Sequence, residues 1–580
     1  MCGIVGYIGR RQASPLILEG LKKLEYRGYD SFGLATMDPS LGIEKHKGRI
    51  SEFAGSIRLG GTIGIGHTRW ATHGVPNDIN AHPHTDCNNR IALVHNGIIE
   101  NYSDLKKELL SRGHTFRSET DTEVIVHLIE EQLAKTADLL ISVQNILPRL
   151  KGSYALLIVA TDIDYLVATR NGSPLVVGIG DNEYFAASDM TPILDYTERA
   201  IFLEDGDVVR LRREGIEIFQ DSVPVTRPVE LIDWSPDEVK KGGFAHYMLK
   251  EIYEQPQAFF NTLRAIDKTS LPLFACQSES MMVVACGSSF HTGLIFKYLM
   301  EKSCNVPVRV DVASEFRYFP PPLQALVIGI TQSGETADTL TALRVARSHN
   351  CRTLAITNVL GSSASRVANA TLFMRAGPEI SVAATKSFIA QLAALMQIVN
   401  ARSRGTYDSI LQDSSKAIED ILLIDVSAAV DLCKNASSIF YIGRGPFYPV
   451  ALEGALKMKE ISYIHAEGYA AGEIKHGPFA LLSPQTPVIA LCLPGDTYDV
   501  MISNIKEIKA RGAPVIAIGS DDDSDLKDIV DLYIPLPKAH EFTWILTSLV
   551  VLQLLAYKTA VVLGRDIDKP RNLAKSVTVE

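Results

Sequence analysis

The periodicity of apolar positions changes character part-way along this 580-residue chain. As far as about residue 218, short β-type runs dominate, at 3–8, 62–67, 90–95, 154–160, 175–179 and 208–212. Gly, Asn and Asp punctuate them as turns. Residues 15–26 and 102–111 have amphipathic helical spacing, and 121–133 opens with an acidic first turn. Successive strands without intervening helices predict antiparallel sheet packed on helices, an α+β layering. From 219 to 245 the chain turns polar, with Asp233, Pro236, Asp237 and the pair Gly242-Gly243, and reads as a linker.

Beyond the linker, strands alternate with helices, which predicts parallel, doubly wound α/β sheets. The pattern occurs twice. Residues 282–288 open onto a helix near 292–301, and 439–445 onto one near 450–461. Strand runs at 325–330 and 353–357 then correspond to runs at 488–493 and 515–519. Three matching strand-turn units in the same order predict two domains of one fold. The expected boundaries are 1–218, a linker over 219–245, domains over 246–415 and 416–565, and a terminal tail over 566–580. The most apolar stretch, 544–563, is interrupted by Thr547, Gln553 and Lys558 and reads as a buried core helix rather than a membrane span.

Composition adds limits. With 46% hydrophobic and 21% charged residues the chain is ordinary for a globular enzyme. A net charge of −10 and the lack of a basic block argue against nucleic acid as a partner. The eight cysteines are scattered, with no C-x-x-C pair, which suits reduced thiols in the cytoplasm. No basic segment followed by an apolar stretch marks a signal peptide.

The candidate chemistry starts at Cys2. Removal of Met1 leaves a thiol and a free α-amine on one residue. An α-amine has a pKa of about 7.7–8, so part of it is neutral near pH 7 and can serve as the base that makes a thiolate. A nucleophile with its own base suits amide cleavage. Such a site also needs a grip on an amino-acid substrate. Arg69 can pair two-pronged with a carboxylate, and Asp121 can accept from an ammonium group. Asn96 and the Gly97 N–H can donate to a tetrahedral oxyanion. Each also has a plain structural reading: a surface ion pair for Arg69, a helix N-terminal charge for Asp121, a hairpin turn for Asn96-Gly97. The run His82-Pro83-His84-Thr85-Asp86-Cys87 suggests a metal, but no second ligand group stands at zinc-like spacing in the sequence, and none is expected there.

In the second half, Thr331-Gln332-Ser333-Gly334-Glu335-Thr336 lies between an apolar strand and a helix. Hydroxyls, an amide and free helix N–H groups converge there, which is one way to bind phosphate. Ser288 and Ser289 occupy the matching turn after the preceding strand. Ordinary helix capping is the plain reading of either turn. The corresponding turn of the second repeat, Pro494-Gly495-Asp496, lacks this chemistry, so one phosphate site per chain is expected. Glu453, Lys457 and Glu460 share one face of the 450–461 helix, for which a solvated ion-pair face is the plain reading.

The runs Cys2-Gly3-Ile4-Val5-Gly6, Tyr26-Arg27-Gly28-Tyr29-Asp30-Ser31, His67 to Gly74, His95 to Asn101 and Glu119 to Glu123 resemble the N-terminal-nucleophile glutamine amidotransferases. The Thr331–Thr336 loop, the Glu453–Glu460 helix and the tail from Asp568 to Glu580 resemble tandem sugar-isomerase (SIS) domains. Together they are similar to the glucosamine-6-phosphate synthase family over essentially the whole chain. The resemblance implies an αββα glutaminase followed by two SIS domains, with glutamine and fructose 6-phosphate as substrates. It implies that Cys2 forms the glutamyl thioester, that Asn96 and Gly97 form the oxyanion hole, and that Arg69 and Asp121 hold glutamine. Thr72, His73 and His82 belong to the same pocket, and Trp70 is the gate through which ammonia leaves. Lys575 forms a Schiff base, Glu460 moves a proton between C1 and C2, and His476 helps open the sugar ring. Ser288, Ser289, Thr331, Gln332, Ser333 and Thr336 hold the phosphate, and Val382, Lys457 and Ala574 line the sugar.

No nicotinamide, flavin or metal cofactor is called for by this chemistry. The Gly443-x-Gly445 pair lacks the rest of a dinucleotide fingerprint. Phe32, Thr331 and Ala384 depart from the family pattern without removing a catalytic group. A cytoplasmic homodimer without membrane or nucleic-acid partners is expected, with His476 serving the neighbouring chain's site. Two other readings are an amidotransferase with a different phosphosugar acceptor and a sugar-phosphate sensor without activity. The first would need a pyrophosphate-binding loop, and the second does not explain Cys2, Glu460 and Lys575 together.

Overall fold

The computed structural model describes residues 2–53, 55–71, 73–232, 240–266, 271–318, 320 and 325–578. It divides into two compact units, one of residues 1–240 with 576–580, the other of residues 241–575.

The first unit contains two antiparallel sheets of eight and seven strands. The strand Gly3–Ile8 runs inside the larger sheet, paired on one side with Ile63–Arg69 and on the other with Tyr184–Ala187. Side chains alternate between the two faces of each strand, and this sorts the core. Ile4, Ile8, Ile65, Val94 and Leu157 fill the space between the sheets. Leu93 and Leu156, one residue out of phase, pack instead against Leu105, Val124 and Leu128 of the helices Tyr102–Ser111 and Glu123–Thr136. The helix Ala13–Leu24 covers the strands Gly3–Ile8 and Ile63–Arg69. The layers therefore run helix, sheet, sheet, helix, as expected.

Three local readings change. The strand expected over 90–95 continues as Ile91–Ile99, so Asn96 and Gly97 sit mid-strand opposite Ala155 and Tyr154 rather than in a hairpin turn. The helix expected from Asp121 begins at Glu123. The polar segment from 219 carries the end of Gly215–Gln220 and the short strands Val223–Val225 and Glu230–Leu231, which edge the two sheets. Their polarity reflects exposure at a sheet edge rather than a lack of structure. Residues 233–239 of that segment lie outside the described residues.

The second unit holds two parallel five-stranded sheets of identical order. One runs Val308–Val312, Met281–Ala285, Leu326–Ile330, Thr353–Thr357, Ala370–Phe373; the other runs His465–Ala470, Ser438–Gly443, Val488–Leu491, Val515–Ser520, Leu532–Leu536. This is the doubly wound arrangement, in which ligands bind beyond the carboxyl ends of the strands near the reversal of strand order. Of the outer strands, which escaped the sequence reading, Val308–Val312 and His465–Ala470 are interrupted by charged residues and Leu532–Leu536 by a proline. The helix Glu541–Val562 is apolar and long enough to cross a membrane, yet most of it is buried in the protein core, with Phe542, Leu549, Val550 and Leu555 essentially inaccessible. It packs on Phe447–Ser462, and Lys386–Arg402 fills the same core.

Phe388 is fully buried in that core. Phe388→Ala is expected to destabilise the chain by about 3–5 kcal/mol, read as a lowered midpoint in denaturant unfolding followed by the fluorescence of the second unit.

Candidate functional sites

Strand register places Cys2. Gly3 pairs with Thr68 and Ile4 with His67, so the residue before Gly3 falls beside Arg69 and Trp70. The Trp70 N–H donates to Cys2 Sγ at 3.3 Å, and the thiol faces the Trp70 carbonyl at 3.5 Å. From the other sheet, Asn96 Nδ2 donates to the Cys2 carbonyl at 3.0 Å. Gly97 has φ +137°, and a Cβ there would lie 2.0 Å from the Ser153 carbonyl oxygen, so only glycine fits. Burial pushes the Cys2 thiol above its ordinary range, against the positive chain terminus, the Trp70 amide and Arg69, which act the other way. The thiol therefore needs a base before it can attack.

Arg69 is buried, not a surface ion-pair partner. Its Nη2 donates to the carbonyls of His73 and Gly74, while Nη1 is buried without a partner among the described residues. A buried guanidinium with an unused donor is prepared for a carboxylate. Asp121 is buried as well; its Oδ2 accepts from the Ile99 N–H at 2.7 Å, tying it to the strand that carries Asn96 and Gly97. It lies before the helix and is no simple helix-terminal charge. His82 stacks on His67 at 4.1 Å and accepts from the His95 N–H at 3.3 Å. Burial holds His67, His82 and His95 below the ordinary histidine range, so all three are neutral near pH 7. Trp70 rests edge-on against Tyr29, and His73 against Tyr102. Thr72 lies outside the described residues.

In the second unit, the loop after Leu326–Ile330 has Thr331 and Thr336 hydroxyls 2.8 Å apart and a Ser333 hydroxyl accepting from the Glu335 N–H. Gly334 has φ +69°, and a Cβ would meet the Ser362 side chain at 2.1 Å. Thr336 stands at the N-cap of Ala337–Ser348 without a side-chain capping bond. Thr336 therefore does not cap this helix through its own side chain. Ser289 accepts from Gln391 at 3.0 Å, and Ser288 donates to Glu453 at 2.8 Å.

The helix Phe447–Ser462 carries a buried ion cluster rather than a solvated face. Lys457 and Glu453 are both essentially inaccessible. Lys457 Nζ lies 2.5 Å from Glu460 and 3.5 Å from Glu453. Burial opposes both charges, but Glu460 and Glu453 raise Lys457, while Lys457, His291 and Ser288 hold Glu453 below the usual carboxylate range.

Lys575 points inward, its Nζ 2.5 Å from Glu379. Glu379 also accepts from the Thr385 and Ser387 amides and the Ser387 hydroxyl. Burial disfavours its charge, yet Lys575 and Ser387 hold it down at about 2. The tail is anchored beside it, since the Val382 N–H donates to the Asp568 carbonyl at 3.1 Å. Ala574 precedes Lys575 in that tail. His476 is exposed after a short turn, and no hydrogen bond or ion pair among the described residues joins it to Glu460 or Lys575.

Sequence reasoning missed Glu379 and Glu251. Glu251 Oε1 accepts from the Ile380 and Ser381 amides, and its Oε2 is buried without a partner among the described residues. Burial and the Glu379 carboxylate push Glu251 up to about 8. Glu379 stands three residues before Val382, a usable signal; Glu251 stands on a short helix of ordinary pattern and gives none.

Comparisons with known proteins match both units. A family model described as a glutamine amidotransferase domain matches residues 67–195, and one described as a SIS domain matches 273–401 and 432–563. The glutamine–fructose-6-phosphate aminotransferase (isomerizing) of Thermus thermophilus is 46% identical over 606 aligned positions, covering all of both chains. The chain belongs to this aminotransferase family. Its relative of the same name from Methanothermobacter thermautotrophicus is 48% identical, again over the full length of both chains. Family membership extends to structure: the C-terminal domain of the Francisella tularensis glucosamine-fructose-6-phosphate aminotransferase superposes with a TM-score of 0.51 at 35% identity, over 57% of this chain and all of that one.

Glu251 generates a pH dependence of stability. Its folded pKa of about 8 lies above the usual carboxyl value, so the folded state keeps a proton that the unfolded chain loses near pH 4.5. Deprotonation then favours unfolding, and the Glu251 contribution to stability is lost as pH rises from about 4.5 to about 8. Glu251→Gln is expected to remove that loss. Denaturant unfolding of both proteins across this range tests it; equal slopes would contradict it.

Proposed function

We propose that this chain converts fructose 6-phosphate and glutamine to glucosamine 6-phosphate and glutamate. The observation that carries the reading is the full-length similarity to aminotransferases of that name. A half-buried Cys2 beside a buried guanidinium with an unused donor in one unit, and a buried Lys575–Glu379 pair in the other, support it.

In the first unit, the α-amine exposed by loss of Met1 takes the thiol proton, and the Cys2 thiolate attacks the glutamine side-chain amide. Asn96 Nδ2 turns from the Cys2 carbonyl to the developing oxyanion, with the Gly97 N–H as second donor. Arg69 Nη1 takes the substrate carboxylate and Asp121 its ammonium group, with Thr72, His73 and His82 lining the pocket. Collapse releases ammonia past Trp70, and water then hydrolyses the thioester to glutamate.

In the second unit, the phosphate sits among Ser288, Ser289, Thr331, Gln332, Ser333 and Thr336. The sugar lies against Val382, Lys457 and Ala574. Lys575, held in place by Glu379, loses its ammonium proton to solvent, condenses with the C2 ketone and expels water. Ammonia adds at C2 and displaces Lys575. Glu460, poised by Lys457 at 2.5 Å, then carries a proton from C1 to C2. His476 is exposed, which suits service to a neighbouring chain's site in a homodimer, where it opens the sugar ring. A reduced cytoplasmic setting fits eight free cysteines.

Cys2→Ala is expected to lower glutamine-dependent amino-sugar formation by about 10³-fold or more while leaving sugar-phosphate isomerisation. Mass spectrometry with amide-labelled glutamine reads this, and retained label transfer would remove Cys2 from the mechanism. Lys575→Ala is expected to keep glutamate release and stop amino-sugar formation. Normal product from that variant would refute the imine.

A further inference from the structure

A second set of side chains in the first unit has no part in either reaction. Cys87 lies on the turn before the strand Ile91–Ile99, His114 just after the helix Tyr102–Ser111, and His127 and Glu130 one turn apart on Glu123–Thr136. Three separate stretches thus converge. Cys87 Sγ is 3.6 Å from His114 Nδ1 and 3.6 Å from His127 Nδ1. Glu130 Oε2 is 3.1 Å from each of the same two nitrogens. One ligand atom from each residue fits within a 4.8 Å span.

These spacings have a specific meaning. Tetrahedral zinc has bonds of about 2.3 Å to sulfur, about 2.0–2.1 Å to nitrogen and about 2.0–2.2 Å to oxygen. The corresponding ligand edges are about 3.6 Å for sulfur to nitrogen and about 3.3 Å for nitrogen to oxygen. The observed sulfur edges match, and the oxygen edges fall slightly inside. A thiolate and a carboxylate balance the charge of a divalent ion, and thiolate with two imidazoles is a zinc-type donor set.

The surroundings are also those of a metal centre. Both histidines present Nδ1 to the centre; His114 Nε2 meets Glu131 at 3.3 Å, while His127 Nε2 lies 3.7 Å from Glu123 without a hydrogen bond among the described residues. Carboxylates behind the ligand imidazoles fix ring orientation and raise ligand basicity. Glu130 is steadied by the Cys87 N–H at 3.3 Å and by Asn88 at 3.1 Å. The Phe116 ring abuts His127, and the His127 side chain is almost wholly buried.

We propose that Cys87, His114, His127 and Glu130 bind one zinc ion in a closed, structural site. Four protein ligands leave no open position for substrate. The ion would clamp the Cys87 turn to the segment 114–130. Glu123, behind His127, accepts from the Arg117 and Ser118 amides, and His84 meets Thr120 at 3.1 Å. Asp121 and His82 therefore lie on the two stretches the ion would join. The sequence reading dismissed a metal at 82–87 because the partners stand 27 and 40 residues further on, at no motif spacing.

The test uses the full chain in a Cys2→Ala background, so that the candidate nucleophile cannot supply the thiolate. The protein is stripped with chelator, reloaded with zinc, desalted and analysed by plasma mass spectrometry. About one zinc per chain is expected, with a raised thermal midpoint, and well under half an equivalent in Cys87→Ser and in His127→Gln. Cobalt(II) in place of zinc is expected to give a thiolate charge-transfer band and intense tetrahedral visible bands. Should the variants misfold, this spectrum decides alone. Sub-stoichiometric zinc, or a pale octahedral cobalt spectrum without charge transfer, would show the four side chains to be only a hydrogen-bonded cluster and would overturn the proposal.

Discussion

Burying a lysine costs several kcal/mol unless a carboxylate meets it, and the second unit turns on one such meeting, between Lys575 and Glu379. Two backbone amides and the Ser387 hydroxyl complete the carboxylate's bonding, so the charge is satisfied rather than merely countered. The loop bearing Glu379 is held in turn by Glu251, whose carboxyl gives up its charge because a second buried negative charge would be uncompensated. Asp568 ties the tail to Val382 and to the amides opening the helix Tyr247–Tyr253. Remove the ion pair and the amine has no reason to stay inside.

Charge burial shapes the neighbouring helix in the same way. Lys457 serves Glu453 and Glu460 at once, and Glu453 reaches back to Ser288 and His291 on the first repeat. One helix of the second repeat is thereby tied to the helix that follows the first strand of the first repeat. Duplication supplied two equal sheets; the asymmetry lies in which turns kept hydroxyls and which helix received charges.

The first unit solves a different problem, that of fixing Cys2 close to a chain terminus. Termini are usually poorly ordered unless tied into a sheet. Here the strand after Cys2 is bonded on both sides, and the second sheet delivers Asn96 to its carbonyl. The histidines beneath are kept neutral by burial and add no charge beside Arg69. The Cys87 cluster joins the stretches bearing His82 and Asp121 through side chains that take no part in that strand pairing.

The two-part fold, the repeat, the buried apolar helix and the runs holding Cys2, Arg69, Asp121, Thr331 and Lys457 are written in local pattern. Strand alternation, glycine punctuation and hydroxyl-rich turns after apolar strands act over a few residues, so a linear reading captures them. Asn96-Gly97 reads locally as a turn and proves to be mid-strand, because ladder pairing with Ala155 and Tyr154 overrides the dipeptide's preference. Charged faces read as solvated and prove buried, because burial is a property of what packs against a helix. Glu379, Glu251 and the Cys87–His114–His127–Glu130 set acquire meaning only from neighbours far along the chain. The sequence by itself determined which elements form and which chemistry is on hand. Tertiary structure alone decided which of those groups share a desolvated volume, where a charge must find its partner or be given up.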